Sequence, residues 1–171
     1  DFADYDFDND GEVDFVYVIY AGYAESYGAS ENTIWPHASR LESWGIDCEL
    51  DGKKVNMYAC SCELKYATGT TLEGIGTFCH EFGHVLGLPD IYNTRATSTS
   101  YNLGYWDIMD QGCYNNGSNT PASYSSFERY SLNWLEYTVL DTPAFGIELP
   151  EITENGVAYV IPTKHENEFF T

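Results

Sequence analysis

The segment HEFGHVLGLPD, which begins at His80, contains the side-chain types that bind a metal ion and activate water. His80 and His84 are four residues apart, so on an α-helix their imidazoles lie on one face and reach a single zinc ion. Glu81 follows the first histidine, in the position from which a carboxylate accepts a proton from metal-activated water. The segment therefore predicts a catalytic metal site on a helix.

A third ligand must reach the metal from outside that helix. Gly87 permits the backbone of a sharp turn, and Asp90 is the nearest downstream side chain that completes three protein ligands and leaves a fourth position for water. Asp107 and Asp110 compete for this role, although each is more simply interpreted as a loop-capping acid. A distant glutamate is disfavoured, because residues 83–126 contain no Glu.

The alternative to a metal site is a pair of hydrogen-bonded core histidines, because an isolated HExxH pattern also arises by chance. The chain contains only four histidines. Two of them in this register beside a glutamate, followed by a turn glycine and an aspartate, favour the metal interpretation.

Two strands are predicted ahead of this helix. The run FVYVIY, residues 15–20, is apolar on both faces and rich in β-formers, which predicts a central strand covered on both sides. The pair Asp51-Gly52 predicts a hairpin turn, and the neighbouring segment KVNMYACSCEL supplies an edge strand.

The metal-site helix itself is predicted over residues 71–86, and Gly87 ends it. Apolar residues recur there every three or four positions, and they would form one buried stripe of Leu72, Ile75, Cys79, Phe82 and Leu86. Both histidines lie off this stripe. They are therefore free to face a metal ion rather than the core.

A second helix is predicted over residues 121–134, with Thr120-Pro121 at its start and with Tyr124 and Phe127 on its core side. Strand-like pieces such as VAYVIP follow Pro143.

The chain therefore divides into two predicted parts of an α+β fold. The catalytic domain that carries the predicted metal site covers residues 1–142, and a β-rich C-terminal region begins over residues 143–171.

An acidic segment before the first strand has the pattern D-x-D-x-D-G-x-x-D, formed by Asp6, Asp8, Asp10, Gly11 and Asp14. Oxygen ligands on alternate residues around a glycine turn are typical of calcium loops. An EF-hand would carry a glutamate at the twelfth position, where this chain has Tyr17. We predict a structural calcium loop that leads into a strand, to which Glu25 is an optional further ligand; a solvated acidic turn is the alternative.

Charge excludes several partners. The 171 residues include 27 acidic residues but only 7 Lys and Arg, a net charge of −20. This charge repels nucleic acids and anionic membranes and attracts divalent cations. Nothing in the chain approaches the apolar run that spans a bilayer. We expect neither a nucleic-acid partner nor a membrane-spanning segment.

The cysteines leave the redox state open. Their odd number allows at most two disulfides among Cys48, Cys60, Cys62, Cys79 and Cys113. Cys60 and Cys62 are too close in sequence to pair comfortably with each other. A bridge from one of them to Cys79 and simple burial are both compatible with the sequence.

Taken together, these motifs resemble the metzincin-type metallopeptidases, in which HExxHxxGxx is followed by His or Asp and later by a methionine turn beneath the metal. The corresponding segments here are HEFGHVLGLPD and YWDIMDQGCY. Within that group the chain resembles the immune inhibitor A family of secreted bacterial peptidases. The similarity covers residues 1 to about 135 and includes DNDGEVDFVYVIYAGY, IWPH, GTFCHEFGHVLGLPDIY and PASYSSFERYSLNWL.

This resemblance implies a role for each site residue. His80, His84 and Asp90 would bind zinc, Glu81 would be the general base, and Met109 would support the metal from the methionine turn. Without the family, Met109 is equally well interpreted as a core methionine.

The resemblance also implies a fold and a setting. We expect a metzincin-like domain with a twisted mixed β-sheet, an active-site helix and a C-terminal helix, in a protein that is secreted or extracytoplasmic. Family members carry further sequence on both sides of this chain, so we expect parts of the domain to be missing from it.

Other polar and aromatic residues are assigned structural roles. His37 is expected to form structural hydrogen bonds and His165 to lie on the surface. Tyr105 and Tyr114 flank the Met109 loop, where packing is expected rather than contact with an oxyanion.

The expected activity is zinc-dependent endopeptidase cleavage of extracellular proteins, with the substrate added as a strand to the edge strand that precedes the active helix. The alternative is a catalytically silent adhesion or carbohydrate-associated module. The intact Glu81 argues against that alternative.

Overall fold

The computed structural model describes residues 1–95, 103–166 and 168–171, and these residues form a mixed α+β architecture. The strands are β1 (Val16–Tyr23), β2 (His37–Arg40), β3 (Glu49–Leu50), β4 (Lys53–Lys54), β5 (Met57–Leu64), β6 (Tyr137–Val139), β7 (Ala158–Pro162) and β8 (Phe169–Phe170). The α-helices are α1 (Ile75–Val85), α2 (Ser126–Ser131) and α3 (Ile152–Asn155). The chain divides into two compact units, Asp1–Ala122 and Ser123–Thr171.

The main sheet of the first unit has the strand order β1-β5-β2. Strand β5 pairs in parallel with β1 and antiparallel with β2, so the sheet is mixed as predicted. Its central strand is buried over four consecutive residues, from Ala59 to Cys62.

The predicted positions of two strands in this sheet were wrong. Strand β1, predicted to be central, lies at the edge among the described residues, and Val18 and Ile19 are 46% and 65% exposed. Strand β5, predicted to be an edge, is central. The small side chains of β5 allow close packing on both faces, whereas apolarity alone does not reveal on which side of a strand its neighbours lie.

The hairpin prediction is confirmed. Strands β3 and β4 pair antiparallel around Asp51 and Gly52, which have φ angles of 52° and 75°. Two consecutive residues with positive φ are the signature of the tight turn that Asp-Gly favours.

Helix α1 is present and ends before Gly87, as predicted, but the predicted buried stripe was wrong. Leu72 and Ile75 are 68% and 55% exposed. The side that is buried carries Gly76, Thr77, His80, Glu81 and Gly83. Gly76 on that side allows the helix backbone to approach the Cys113 backbone carbonyl closely.

Aromatic rings attach another side of α1 to β1 and to the residue that precedes β1. Phe78 packs on Tyr17 with ring centroids 4.2 Å apart, and Phe82 packs on Phe15 at 5.2 Å. These contacts fix the rotation of the helix about its axis.

The second unit contains α2 and a small sheet with the order β6-β7-β8. The strand predicted in VAYVIP is confirmed as β7. Helix α2 is shorter than predicted, because Ser125 rather than Thr120 caps it through a capping box with Glu128. Phe127, predicted to face the core, is 43% exposed. The domain boundary predicted at residue 142 stays a prediction.

None of the helices in the described ranges combines the length and hydrophobicity that crossing a bilayer requires.

The close approach of α1 to the segment after the turn that contains Met109 yields a prediction. The Gly76 amide donates to the Ser118 carbonyl at 2.8 Å, and a methyl group at Gly76 would collide with the Cys113 backbone carbonyl. We expect Gly76→Ala to lower the free energy of unfolding by about 1–3 kcal/mol, measured by chemical denaturation. Ile75→Ala, at the neighbouring exposed position, is the control. Equal stability of the two variants would contradict the packing described.

Candidate metal centre

His80 and His84 present their Nε2 atoms to the same point because their Nδ1 atoms are held by backbone carbonyls. His80 Nδ1 lies 2.8 Å from the Ile108 carbonyl oxygen, and His84 Nδ1 lies 2.8 Å from that of Leu88. A carbonyl accepts only, so each Nδ1 carries the proton. In the neutral imidazole, Nε2 then has a free lone pair, which is the form that binds a metal.

Asp90 reaches these nitrogens after a tight turn. Gly87 has a φ angle of 98°, in the region that favours glycine, and the Leu88 amide donates to the Gly83 carbonyl at 3.0 Å. Asp90 Oδ1 then lies 3.3 Å from His80 Nε2 and 3.2 Å from the Nε2 of the second histidine. The structure thus brings the three predicted ligands together.

The geometry of this cluster fits a tetrahedral metal ion. Ligand atoms about 2.0–2.1 Å from zinc in a tetrahedron are about 3.3 Å apart, which matches the two measured separations. Asp90 Oδ1 is also buried without a hydrogen-bond partner among the described residues. Two imidazole lone pairs facing an unpartnered carboxylate oxygen repel one another unless a cation lies between them. The residues present therefore fit a metal.

The protonation behaviour of the cluster agrees with this demand for positive charge. Burial opposes the charged form of His80, but the Asp90 carboxylate and the Ile108 carbonyl outweigh it and raise the net pKa. His84 shows the same balance. For Asp90, burial alone would raise the pKa, yet the two histidines hold it far below its usual range. Protons taken up by the two histidines thus supply part of the positive charge that a metal ion would supply, and metal binding must displace these protons.

Glu81 lies in the same cavity but outside the three-ligand cluster. Its side chain is buried, and this burial raises the pKa of its carboxyl, an effect that the positive charges of His80 and His84 oppose. A buried carboxylate beside a cation site is suited to hold a proton transiently.

The turn that contains Met109 is hydrogen-bonded to two segments of the cluster. Met109 is fully buried, and its carbonyl accepts the Ile91 amide at 2.9 Å, which ties the turn to the segment that carries Asp90. The neighbouring Ile108 supplies the carbonyl for His80.

The two competing aspartates cap this turn instead of facing the histidines. Asp107 accepts the Met109 amide at 2.8 Å. Asp110 accepts the Gly104 amide at 2.6 Å and the Gln111 amide at 2.8 Å. The simpler interpretation from the sequence, that they are loop-capping acids, is therefore correct.

A cavity of about 600 Å³ opens onto the cluster. Sequence analysis did not single out two of its aromatic wall residues, Trp35 and Tyr92. The Tyr92 ring stacks on His80 with centroids 6.4 Å apart, and burial raises the pKa of Tyr92 to about 12, so its hydroxyl stays protonated. The sequence feature that could have identified Tyr92 as a site residue is its position two residues after Asp90. Tyr114 also lines the cavity, whereas Tyr105 is 62% exposed.

The remaining histidines match their predictions. His37 bonds the Trp35 carbonyl through Nδ1 at 2.7 Å and the Tyr58 hydroxyl through Nε2 at 2.9 Å. His165 is exposed.

No disulfide bond joins any two cysteines of the described residues, so the bridge to Cys79 considered from the sequence is not formed. Cys60, Cys62 and Cys113 are buried, in agreement with the other possibility left open by the sequence, simple burial.

The acidic loop brings three of its four predicted calcium ligands together. Carboxylate oxygens of Asp6, Asp8 and Asp10 lie within 4.8 Å of one another, whereas Asp14 accepts the Phe7 amide. A cation of the chain already contacts this cluster, because Lys53 Nζ lies 2.6 Å from Asp6 Oδ2. Calcium binding at the loop stays a prediction.

A helix that carries two histidines and a glutamate, with an aspartate closing the cluster, is the arrangement used by metal-dependent peptidases. Comparison with known proteins identifies the group more closely. Residues 3–139 match the family described as immune inhibitor A peptidase M6, catalytic domain. The chain belongs to this family, which confirms the resemblance drawn from its motifs.

Two relatives illustrate the similarity. The pre-pro-metalloprotease PrtV of Vibrio cholerae serotype O1 is 31% identical over 132 residues, which cover 72% of this chain and 14% of the relative. Immune inhibitor A of Bacillus thuringiensis subsp. alesti is 28% identical over 122 residues, which cover 68% of this chain and 18% of the relative. The chain thus spans less than a fifth of the length of these relatives.

The ion pair in the acidic loop yields a prediction for the pH dependence of stability. The hydrogen bond from Lys53 lowers the pKa of Asp6 below its ordinary value of 3.8. The carboxylate therefore stabilises the fold above the unfolded-state pKa, and this contribution is lost as pH falls through the lower folded-state pKa. Between about pH 6 and pH 2, we expect the wild type to lose more free energy of unfolding than Asp6→Asn.

Urea denaturation at the two pH values measures this difference. Asp47→Asn, at an exposed acidic position, is the control and should follow the wild type. An Asp6→Asn variant with the same pH dependence as the wild type would contradict the role given to Lys53.

Proposed function

We propose that the chain is the catalytic part of a zinc-dependent endopeptidase, with His80, His84 and Asp90 as the zinc ligands. The observation that carries the proposal is the cluster of two Nε2 atoms and one buried carboxylate oxygen, spaced as a tetrahedral metal requires. Family membership supports the choice of peptide-bond hydrolysis. The fold assignment that goes with this proposal is metzincin-like, with Met109 as the methionine-turn residue.

Glu81 is the group of this chain that moves the proton. When bound, zinc would act as a Lewis acid toward the scissile carbonyl and lower the pKa of a water molecule. The Glu81 carboxylate accepts one proton from that water as the water oxygen bonds to the carbonyl carbon. The same carboxyl then delivers the proton to the amine nitrogen as the C–N bond breaks. Its buried position keeps bulk water from competing for the proton.

The two histidines contribute orientation as well as ligand atoms. Their Nδ1 bonds to the Ile108 and Leu88 carbonyls fix the tautomer and the ring planes before a metal arrives. Tyr92 stacks on His80, and its protonated hydroxyl, which is within hydrogen-bonding reach of Asp90, adds a donor beside the ligand cluster.

The substrate strand is assigned to β2 rather than to the strand predicted from the sequence. Strand β5, which directly precedes the active helix, is central and offers no free edge among the described residues. Strand β2 lies at the other edge of the sheet, and His37 and Ala38 at its start line the cavity. An extended peptide can add there through main-chain hydrogen bonds.

The cellular setting and the second metal belong to the same proposal. Names of the relatives, a pre-pro-metalloprotease and an immune inhibitor, support a secreted or extracytoplasmic bacterial protein that cleaves extracellular proteins. Carboxylates of Asp6, Asp8 and Asp10 would hold a structural calcium ion in the acidic loop. Binding there requires Lys53 to release Asp6.

A metal-content measurement tests the ligand set. We expect the dialysed protein to retain about one zinc ion per chain, and Asp90→Ala to retain little, because two imidazoles alone make an incomplete site. Elemental analysis by mass spectrometry reads the metal directly, and Asp47→Ala is a control of the same chemistry at an exposed position. Full zinc content in Asp90→Ala would mean that another residue is the third ligand.

An activity measurement tests the role of Glu81. We expect Glu81→Gln to keep the zinc content of the wild type but to lower kcat/KM on a fluorogenic peptide library by at least about a hundredfold. Glu49→Gln, at an exposed glutamate, should behave like the wild type. A catalytically silent binding module would instead show no chelator-sensitive cleavage in any of the three proteins.

A further inference from the structure

Trp35 is an exposed aromatic side chain in the wall of the catalytic cavity. It lines the same cavity as His80, Glu81 and Asp90, and it is 56% exposed. A large apolar surface left open beside a catalytic cluster gains stability when a ligand covers it. Trp35 is therefore placed to contact whatever the cavity binds.

Side chains from two strands hold the backbone on either side of Trp35. The Tyr20 hydroxyl of β1 donates to the Ile34 carbonyl at 2.6 Å, and His37 Nδ1 of β2 donates to the Trp35 carbonyl at 2.7 Å. Pro36 is buried and has a fixed φ angle. The indole is thus carried on a preorganised segment, so its backbone need not be ordered when a ligand binds.

Other walls of the cavity favour an apolar occupant over an acidic one. Tyr92 and Tyr114 add two further aromatic rings. Among the described lining residues there is no lysine or arginine, whereas Glu81, Asp90 and Asp110 bring carboxyl groups. An acidic substrate side chain would find no lysine or arginine in these walls, while an aromatic or aliphatic side chain would find ring faces to pack on.

We propose that Trp35 is a specificity-determining residue, which packs against an aromatic or large aliphatic side chain of the substrate next to the scissile bond. This proposal rests on the peptidase function proposed above and names a substrate class for it: peptides with such a side chain flanking the cleaved bond. Trp35 acts through contact with the substrate and takes no part in proton transfer.

A cleavage assay with matched peptides tests the proposal. Four fluorogenic peptides differ only in the residue that flanks the scissile bond, which is Phe, Leu, Gly or Asp. For Trp35→Ala we expect kcat/KM on the Phe and Leu peptides to fall by about tenfold or more, with a change on the Gly peptide of less than about twofold. Trp35→Phe should restore most of the preference, because it keeps an aromatic face.

Trp44→Ala is the matched control. Trp44 is 66% exposed and donates to the Ser39 hydroxyl, but it does not line the cavity. The control should therefore leave the preference of the wild type unchanged. An equal loss on all four peptides in Trp35→Ala, or the same loss in Trp44→Ala, would overturn the proposal.

A binding measurement separates this inference from the proposed activity. Calorimetric titration of the Phe and Gly peptides into Glu81→Gln, and into Glu81→Gln combined with Trp35→Ala, needs no turnover. We expect the Phe peptide to bind about tenfold more weakly to the double variant and the Gly peptide to bind equally to both. If the wild type cleaves nothing while this difference in binding is found, peptidase activity fails and the role of Trp35 stands. Absence of binding, or equal binding of the two peptides to Glu81→Gln, overturns the role of Trp35.

Discussion

The site depends on two hydrogen bonds from imidazole nitrogens to backbone carbonyls. Because the Ile108 and Leu88 carbonyls each accept a hydrogen bond from an Nδ1–H group, the opposite nitrogen of each ring is left to face Asp90. Neither carbonyl belongs to a residue of α1. One comes from the turn that contains Met109 and the other from the segment after Gly87, so the cluster forms only when both segments are folded against the helix.

The same requirement explains why α1 buries its polar side. His80, Glu81 and Thr77 are costly to remove from water unless their polar groups find partners. Thr77 bonds the Glu73 carboxylate at 3.1 Å, and His80 bonds Ile108. Gly76 lets the helix come close enough for these bonds, since its amide reaches the Ser118 carbonyl. These polar contacts therefore set the orientation of the helix, while Phe78 and Phe82 pack its other side on Tyr17 of β1 and on Phe15 just before β1.

Sequence analysis predicted the site better than the packing around it. Spacing of His80, His84 and Asp90 is a local property, because four helical residues and one glycine turn are enough to bring them together. The positions of β1 and β5 in the sheet depend instead on contacts between distant segments. A run such as FVYVIY records that its side chains are apolar, but not which of them are covered. For the same reason, the prediction that Leu72 and Ile75 belong to a buried stripe was wrong.

Acid and metal compete for one set of atoms in this arrangement. Without a cation, the cluster relieves the repulsion around Asp90 Oδ1 by taking up protons, which is why the pKa of both histidines rises while that of Asp90 falls. A divalent ion supplies more charge at the same point and releases those protons. The net charge of −20 attracts such an ion from a distance, but it attracts protons as well. Selectivity for a metal must therefore come from the local geometry, in which two fixed nitrogens and one oxygen meet at tetrahedral spacing.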